Sequence, residues 1–117
     1  AEQIDALCDA FRAYVAGAAR PEAQAVNEMD VLRFMKGLVK LRHSNAELLT
    51  ALEPHLEKRK GALRSDVLTN LISSFSYFEI SETFFNGLLQ SATGRLSRLS
   101  ATSVQHILTA LCRQQGK

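Results

Sequence analysis

Residues 30–53 read DVLRFMKGLVKLRHSNAELLTALE, and residues 66–89 read DVLTNLISSFSYFEISETFFNGLL. A shift of 36 residues lays Asp30-Val31-Leu32 on Asp66-Val67-Leu68, Met35 on Leu71, Val39 on Phe75 and Leu41 on Tyr77. The same shift lays Leu48, Leu49 and Leu52 on Phe84, Phe85 and Leu88. A further 37 residues carry Val67 to Val104, Leu71 to Leu108 and Phe75 to Cys112. Within each block the apolar residues recur every three or four positions, which is the period of one helix face. Two helices per unit at this period are the mark of an α-solenoid: one hairpin cannot bury its apolar face alone, so neighbours stack to make the core. The expectation is an all-α chain, an α-solenoid of antiparallel helical hairpins with about 36–37 residues per repeat. Its single domain divides into an atypical first helix and connection over 1–27, repeats over 28–63 and 64–99, and a half repeat over 100–117.

Working outward, the helices are expected near 3–19, 28–42, 45–59, 65–78, 81–93 and 101–114. Ile4, Leu7, Cys8, Phe11, Tyr14 and Val15 give the first its face, and Pro21 sets its end near Arg20. Residues 21–27 read equally as a loop or as the start of the second helix. Asn27 with Asp30, Ser44 with Glu47, Ser81 and Ser100 are candidate helix starts. Pro54 is expected to kink the third helix or end its regular part. Lys58-Arg59-Lys60-Gly61 and Gly94 read as helix ends. Leu38, Leu52, Leu71, Phe75, Leu88 and Leu108 recur across units and should be nearly fully buried.

The 117 residues suffice for one compact domain, and 46% hydrophobic content excludes wholesale disorder. No apolar run reaches the roughly 18–20 residues of a bilayer span, so no membrane partner is expected. Cys8 and Cys112 stand at opposite ends of the sequence, which is neither a disulfide framework nor a metal knuckle, and fits a reducing compartment. The chain begins at Ala1 and ends within a helical pattern, so a piece of a longer protein is expected. From Ala1 to Glu57 there are six Lys/Arg against nine Asp/Glu, a net of −3; from Lys58 to Lys117 there are eight against three, a net of +5. The basic half points toward an anionic partner.

Catalytic chemistry is thin. His43, His55 and His106 have no ligand-type partner at helical spacing. There is no C-x-x-C, no phosphate-cradling glycine loop and no G-x-S-x-G elbow. No nucleophile–base arrangement can be assembled, so the chain is read as a non-enzyme that needs no cofactor or metal.

The binding residues are more definite. Arg33, Lys36 and Lys40 lie at i, i+3 and i+7 and share one helix face. The repeat carries that face to Thr69, Ile72 and Ser76, and then to His106, Thr109 and Arg113, with Asn70, Ser73 and Gln105 alongside. Stacked units would align Arg33, Lys36, Lys40, Asn70, Ser73, His106 and Arg113 into a polar, partly basic column able to meet phosphates and unstacked bases. An ordinary solvated helix face carries the same residue types. A second basic cluster comprises Lys58, Arg59, Lys60 and Arg64, with Arg95 and Arg98 one unit later. It suits phosphate contact or the neutralising of helix C-termini equally well.

The stretches MDVLRFMKGLVKLRHSNAELLTALEPHLEKRKGALRSDVL and DVLTNLISSFSYFEISETFFNGLLQSATGRLSRLSATSVQHILTALCRQ share one rhythm. It runs from a polar cap through D-V-L, an apolar L-x-x-[FL] helix and a short turn to E-L-L or F-F, then a basic G-x-L step. Over residues 28–115 this resembles the degenerate helical repeats of organellar RNA-metabolism proteins: the octotricopeptide and heptatricopeptide type and the related repeats of FAST-kinase-like and RAP-domain proteins. The first 27 residues do not fit the unit, and there is no RAP domain. The resemblance implies a non-enzymatic protein of a mitochondrion or plastid that binds single-stranded or ribosomal RNA within a ribonucleoprotein. The alternative is a HEAT- or armadillo-like protein–protein scaffold, with Phe34, Tyr77, Phe78 and Phe85 as anchors. In either case the last helix, 101–114, leaves one side open for another protein subunit.

Overall fold

A computed structural model describes residues 2–17 and 27–116. They form six α-helices: α1 (Glu2–Gly17), α2 (Glu28–Leu41), α3 (Ala46–Glu57), α4 (Ser65–Phe75), α5 (Glu82–Thr93) and α6 (Ala101–Gln115). Single 3-10 turns at Lys60–Ala62 and Leu96–Arg98 lie in the connections before α4 and α6, and the described residues contain no strand. The expected end of the first helix near Arg20 and the reading of residues 21–26 lie outside the described residues.

Local chemistry sets the boundaries. Asn27 caps α2 by accepting the Met29 N–H at 2.8 Å, Ser81 caps α5 through the Phe84 N–H at 3.3 Å, and Ser100 caps α6 through the Ser103 N–H at 3.1 Å. Each satisfies an otherwise orphan donor of a first turn. At α3 the cap is Asn45 rather than the expected Ser44; its side-chain oxygen accepts the Leu48 N–H at 3.0 Å. The shift by one residue leaves Glu47 in the first turn of α3, where it pairs with Arg12 of α1 at 3.3 Å. Pro54 does not end α3 at once. The helix runs on to Glu57, and the Pro54 carbonyl accepts the Lys58 N–H at 3.3 Å, closing one more turn before the connection. A proline lacks a donor but keeps its acceptor, so it permits that last turn.

The packing pairs define the arrangement. α2 packs on α4 and α4 on α6; α1 packs on α3 and α3 on α5; α4 and α5 form the antiparallel pair that joins the two sets. The molecule measures 37 × 33 × 22 Å, and its least dimension fits two layers of helices spaced 8–10 Å apart plus their outer side chains. The core between the layers holds Val31, Met35, Leu48, Leu52, Leu56, Leu68, Leu71, Ile72, Phe75 and Leu88, all essentially without exposed surface. Phe75 of α4 meets Phe84 of α5 edge-on, with ring centroids 5.3 Å apart. Phe11 of α1 stacks on Phe34 of α2 at 4.4 Å.

Five of the six residues expected to be buried are at most 3% exposed; Leu108 is 61% exposed. The register of α6 differs from that of α4. Its inward face is built on Ala110, which has no exposed surface, flanked by half-buried Ser103, Ile107 and Gln114. Val104, Leu108 and Cys112, the repeat equivalents of Val67, Leu71 and Phe75, point outward. The small Ala110 side chain permits close approach to α4, and no helix among the described residues covers the other edge of α6.

Candidate nucleic-acid interface

The expected column of Arg33, Lys36, Lys40, Asn70, Ser73, His106 and Arg113 does not form one surface. On α2, Arg33, Lys36 and Lys40 are exposed. Arg33 lies 3.8 Å from Asp30, and Lys36 and Lys40 have no ion-pair partner among the described residues. On α4 the corresponding rung is inside the protein: Thr69 is 2% exposed, and Ile72 and Ser76 are fully covered. α4 has α2 and α6 against it and α5 behind it, so little of its surface reaches solvent. Its polar groups turn back on their own helix. The Thr69 hydroxyl donates to the Ser65 carbonyl at 2.8 Å, Asn70 Nδ2 to the Asp66 carbonyl at 2.7 Å, and the Ser76 hydroxyl to the Ser73 carbonyl.

On α6, His106 is exposed, but Arg113 is engaged. Its guanidinium lies over the Tyr77 ring, 3.8 Å from the centroid, and donates to the Ser73 carbonyl at 3.4 Å and to the Ser76 hydroxyl. Gln114 Nε2 donates to the carbonyls of Phe75 and Phe78 at 3.3 and 3.0 Å. Together they satisfy the C-terminal carbonyls of α4, a helix with no basic residue in its own last turn. The sequence sign of this role is the serine-rich, cation-free end of α4 lying 37–40 residues before an Arg-Gln pair.

The second cluster is gathered along one edge of the molecule, where α3 and α5 end and α2 and α4 begin. Arg95 binds the preceding connection: its guanidinium donates to the carbonyls of Leu63 at 2.5 Å and Lys60 at 3.3 Å, while its Nε donates to Ser91 at 3.1 Å. The two G-x-L steps, 61–63 and 94–96, are thereby brought face to face. Arg59 pairs with Glu28 at 3.2 Å and Lys60 with Glu57, so these two cations are neutralised. Arg64 is exposed and touches Asp66 at 3.3 Å. Lys58 and Arg98 are exposed and have no ion-pair partner among the described residues. Arg64, Ser65, Gln90, Arg95 and Arg98 line a surface groove of about 530 Å³. Ser65 is the first residue of α4, whose N-terminus no side chain caps. Its orphan N–H groups and the helix dipole add positive potential beside the arginines. Sequence reading placed the cations of this edge but not Ser65 and Gln90, nor the acidic partners Glu28 and Glu57.

Elsewhere, Asp5 of α1 accepts from His43 at 2.7 Å and from Asn45 at 3.0 Å, clamping α1 to the α2–α3 turn. These hydrogen bonds hold the Asp5 carboxyl below its ordinary range. Burial pushes the Cys8 thiol up. His55 Nε2 is covered and has no hydrogen-bond partner, and burial, followed by the Arg59 charge, lowers its pKa. The described residues hold no group of three His, Cys, Asp or Glu able to bind a metal ion, and no helix long and apolar enough to cross a membrane. Comparison with protein-family models, curated proteins and solved structures finds no match to this chain.

Proposed function

We propose that the chain is a non-enzymatic α-solenoid module that binds the phosphate backbone of single-stranded or ribosomal RNA in an organellar ribonucleoprotein. The side-by-side packing of α2, α4 and α6, with α1, α3 and α5 behind them, supports the solenoid part of this reading. One observation carries the RNA part: a groove lined by Arg64, Arg95 and Arg98 at an uncapped helix N-terminus, with Arg64 and Arg98 exposed and Lys58 exposed on the connection that leads to it. Exposed cations displace counterions when they meet phosphates, the chief source of non-specific nucleic-acid affinity; Lys58 and Arg98 have no carboxylate partner among the described residues, and Arg64 shares its charge only with exposed Asp66. The Arg33, Lys36 and Lys40 strip on α2 is a second contact surface. The organellar setting rests on the sequence resemblance alone.

The test compares two charge-reversed variants, Lys58→Glu/Arg64→Glu/Arg98→Glu and Arg33→Glu/Lys36→Glu/Lys40→Glu, for binding a single-stranded RNA across a salt series. Each lost phosphate contact should lower the slope of log affinity against log salt by about 0.7. The edge variant should therefore lose about two units of slope. Unchanged affinity and slope in both variants, with helicity intact, would move the reading to a protein–protein scaffold. The exposed Leu7, Tyr14, Leu96 and Leu108 favour that second reading.

A further inference from the structure

The two basic surfaces are built differently. Arg33, Lys36 and Lys40 stand exposed at i, i+3 and i+7, spread along one open face of α2. Arg64, Arg95 and Arg98 instead line a single groove of about 530 Å³. Ser65, Gln90 and Ser91 line it too, and none of its lining residues is acidic. Arg95 is the fixed member. Its guanidinium donates to the carbonyls of Lys60, Gly61, Leu63 and Ser91, and it has no ion-pair partner among the described residues. Carbonyl acceptors hold the group in place without cancelling its charge. Arg98 has no ion-pair partner among the described residues either, and Arg64 meets only the exposed Asp66, at 3.3 Å. Three guanidinium charges against one carboxylate leave a net of +2 at the groove.

We infer that this groove takes the phosphate monoester at an end of an RNA strand, rather than an internal phosphodiester. This assignment deepens the RNA reading and rests on it. An internal phosphate carries one negative charge, whereas a monoester carries about −1.5 to −2 at pH 7 and offers three strong acceptor oxygens. The monoester matches the net +2 of the groove; an internal phosphate would leave one cation unmatched. Guanidinium groups suit such a ligand, being planar, always charged and rich in donors. Arg98 is exposed and unpaired among the described residues, and Arg64 uses only its Nη2, on Asp66 and the Met29 sulfur. Arg95, whose N–H groups are given largely to carbonyls, contributes mainly charge. The hydroxyls of Ser65 and Ser91 and the Gln90 amide are hydrogen-bonding groups for the terminal ribose. The groove has the volume of a site for one small ligand. The α2 strip, with its cations spaced along an open helix face, suits successive internal phosphates instead.

The test uses one short single-stranded RNA sequence in three forms: with a 5′-phosphate, with a 3′-phosphate, and with hydroxyls at both ends. Each is measured by its displacement of an internally labelled strand from the protein. At least one phosphorylated form should bind about tenfold or more tighter than the hydroxyl form. The form that gains shows which end the groove receives. Arg98→Gln alone should reduce that advantage several-fold, and Arg64→Gln/Arg98→Gln should abolish it with helicity intact by circular dichroism. Arg33→Gln/Lys36→Gln/Lys40→Gln should weaken all three forms alike and keep the advantage. Equal affinity of the three forms overturns the assignment, as does an advantage that survives in a folded Arg64→Gln/Arg98→Gln protein. If the three forms are equal and the double variant weakens them alike, the edge holds internal phosphates, and the RNA reading stands while the terminal site falls. Binding of none of the forms overturns both.

Discussion

Arg42 closes α2 in the left-handed region, with φ 53° and ψ 40°, and its N–H reaches back to the carbonyls of Leu38 and Val39. This is a Schellman-type ending, completed by the His43 N–H on the Leu38 carbonyl at 3.1 Å. Glycine takes this conformation without strain, whereas a side chain costs about 1–2 kcal/mol. Arg42→Gly should therefore raise stability by up to about 1 kcal/mol, net of the added entropy of the unfolded chain. A higher urea midpoint with unchanged slope is the expected reading; a lower midpoint would show that the arginine side chain has a role of its own. His55 makes the opposite kind of case. Its half-buried ring lies near Arg59 and Lys58, with Glu28 as the countering charge, and the net effect favours the neutral form. Its folded pKa lies below the ordinary 6.5, so the unfolded chain binds more protons in that range. The His55 contribution to stability is intact above pH 6.5 and is lost as pH falls from there through the lowered folded value. His55→Gln should flatten the pH dependence of the unfolding midpoint as pH falls below 6.5, relative to the parent protein. Identical profiles would mean that the ring is free to protonate in the folded state.

Leu71 and Leu108 are repeat equivalents with opposite fates at the level of the helix. Leu71 has no exposed surface, and Leu108 keeps 61% of its own. Leu71→Ala should cost about 2–5 kcal/mol, the range for cavities in a well-packed core. Leu108→Ala should cost less than about 0.5 kcal/mol, as surface changes do. Equal losses in denaturant titrations would mean that α6 has the register of α4 after all. The pair also shows which parts of the elements are legible in a sequence. Caps such as Asn27, Ser81 and Ser100 are local, because one side chain meets an N–H two or three residues away. The face a helix turns inward is set by its neighbours. In α6 the apolar residues 104, 107, 108, 111 and 112 span more than one face, and the choice falls to Ala110, whose small size lets α4 approach. Arg113 was legible as a cation but not as the residue that binds the end of α4, since its partners Ser73, Ser76 and Tyr77 lie far back in the sequence, in the last turn of α4 and just beyond it. The cations of the second cluster do lie near one another, because Arg95 hydrogen-bonds the connection before α4 and brings the two connections side by side.

Across the molecule the layers are unequally supported. α4 packs against α2, α5 and α6, whereas α6 leans chiefly on α4, and α1 chiefly on α3. Buried positions follow suit: Val67, Leu68, Thr69, Leu71, Ile72, Ser74 and Phe75 in α4, but Ala110 alone in α6 and Cys8 and Val15 in α1. Stacked helical units derive their stability from neighbour interfaces, so an end layer with one interface opens more readily than a central layer with several. Native-state hydrogen exchange should therefore show a gradient. Amides of α4 and of the core-facing turns of α5 should exchange slowest, near the limit set by global unfolding. Those of α1 and α6 should exchange faster, through fraying of the end layers. If α6 exchanges as slowly as α4 in the protein alone, the apolar stripe of Val104 and Leu108 is already covered in solution, and the open end is closed by self-association.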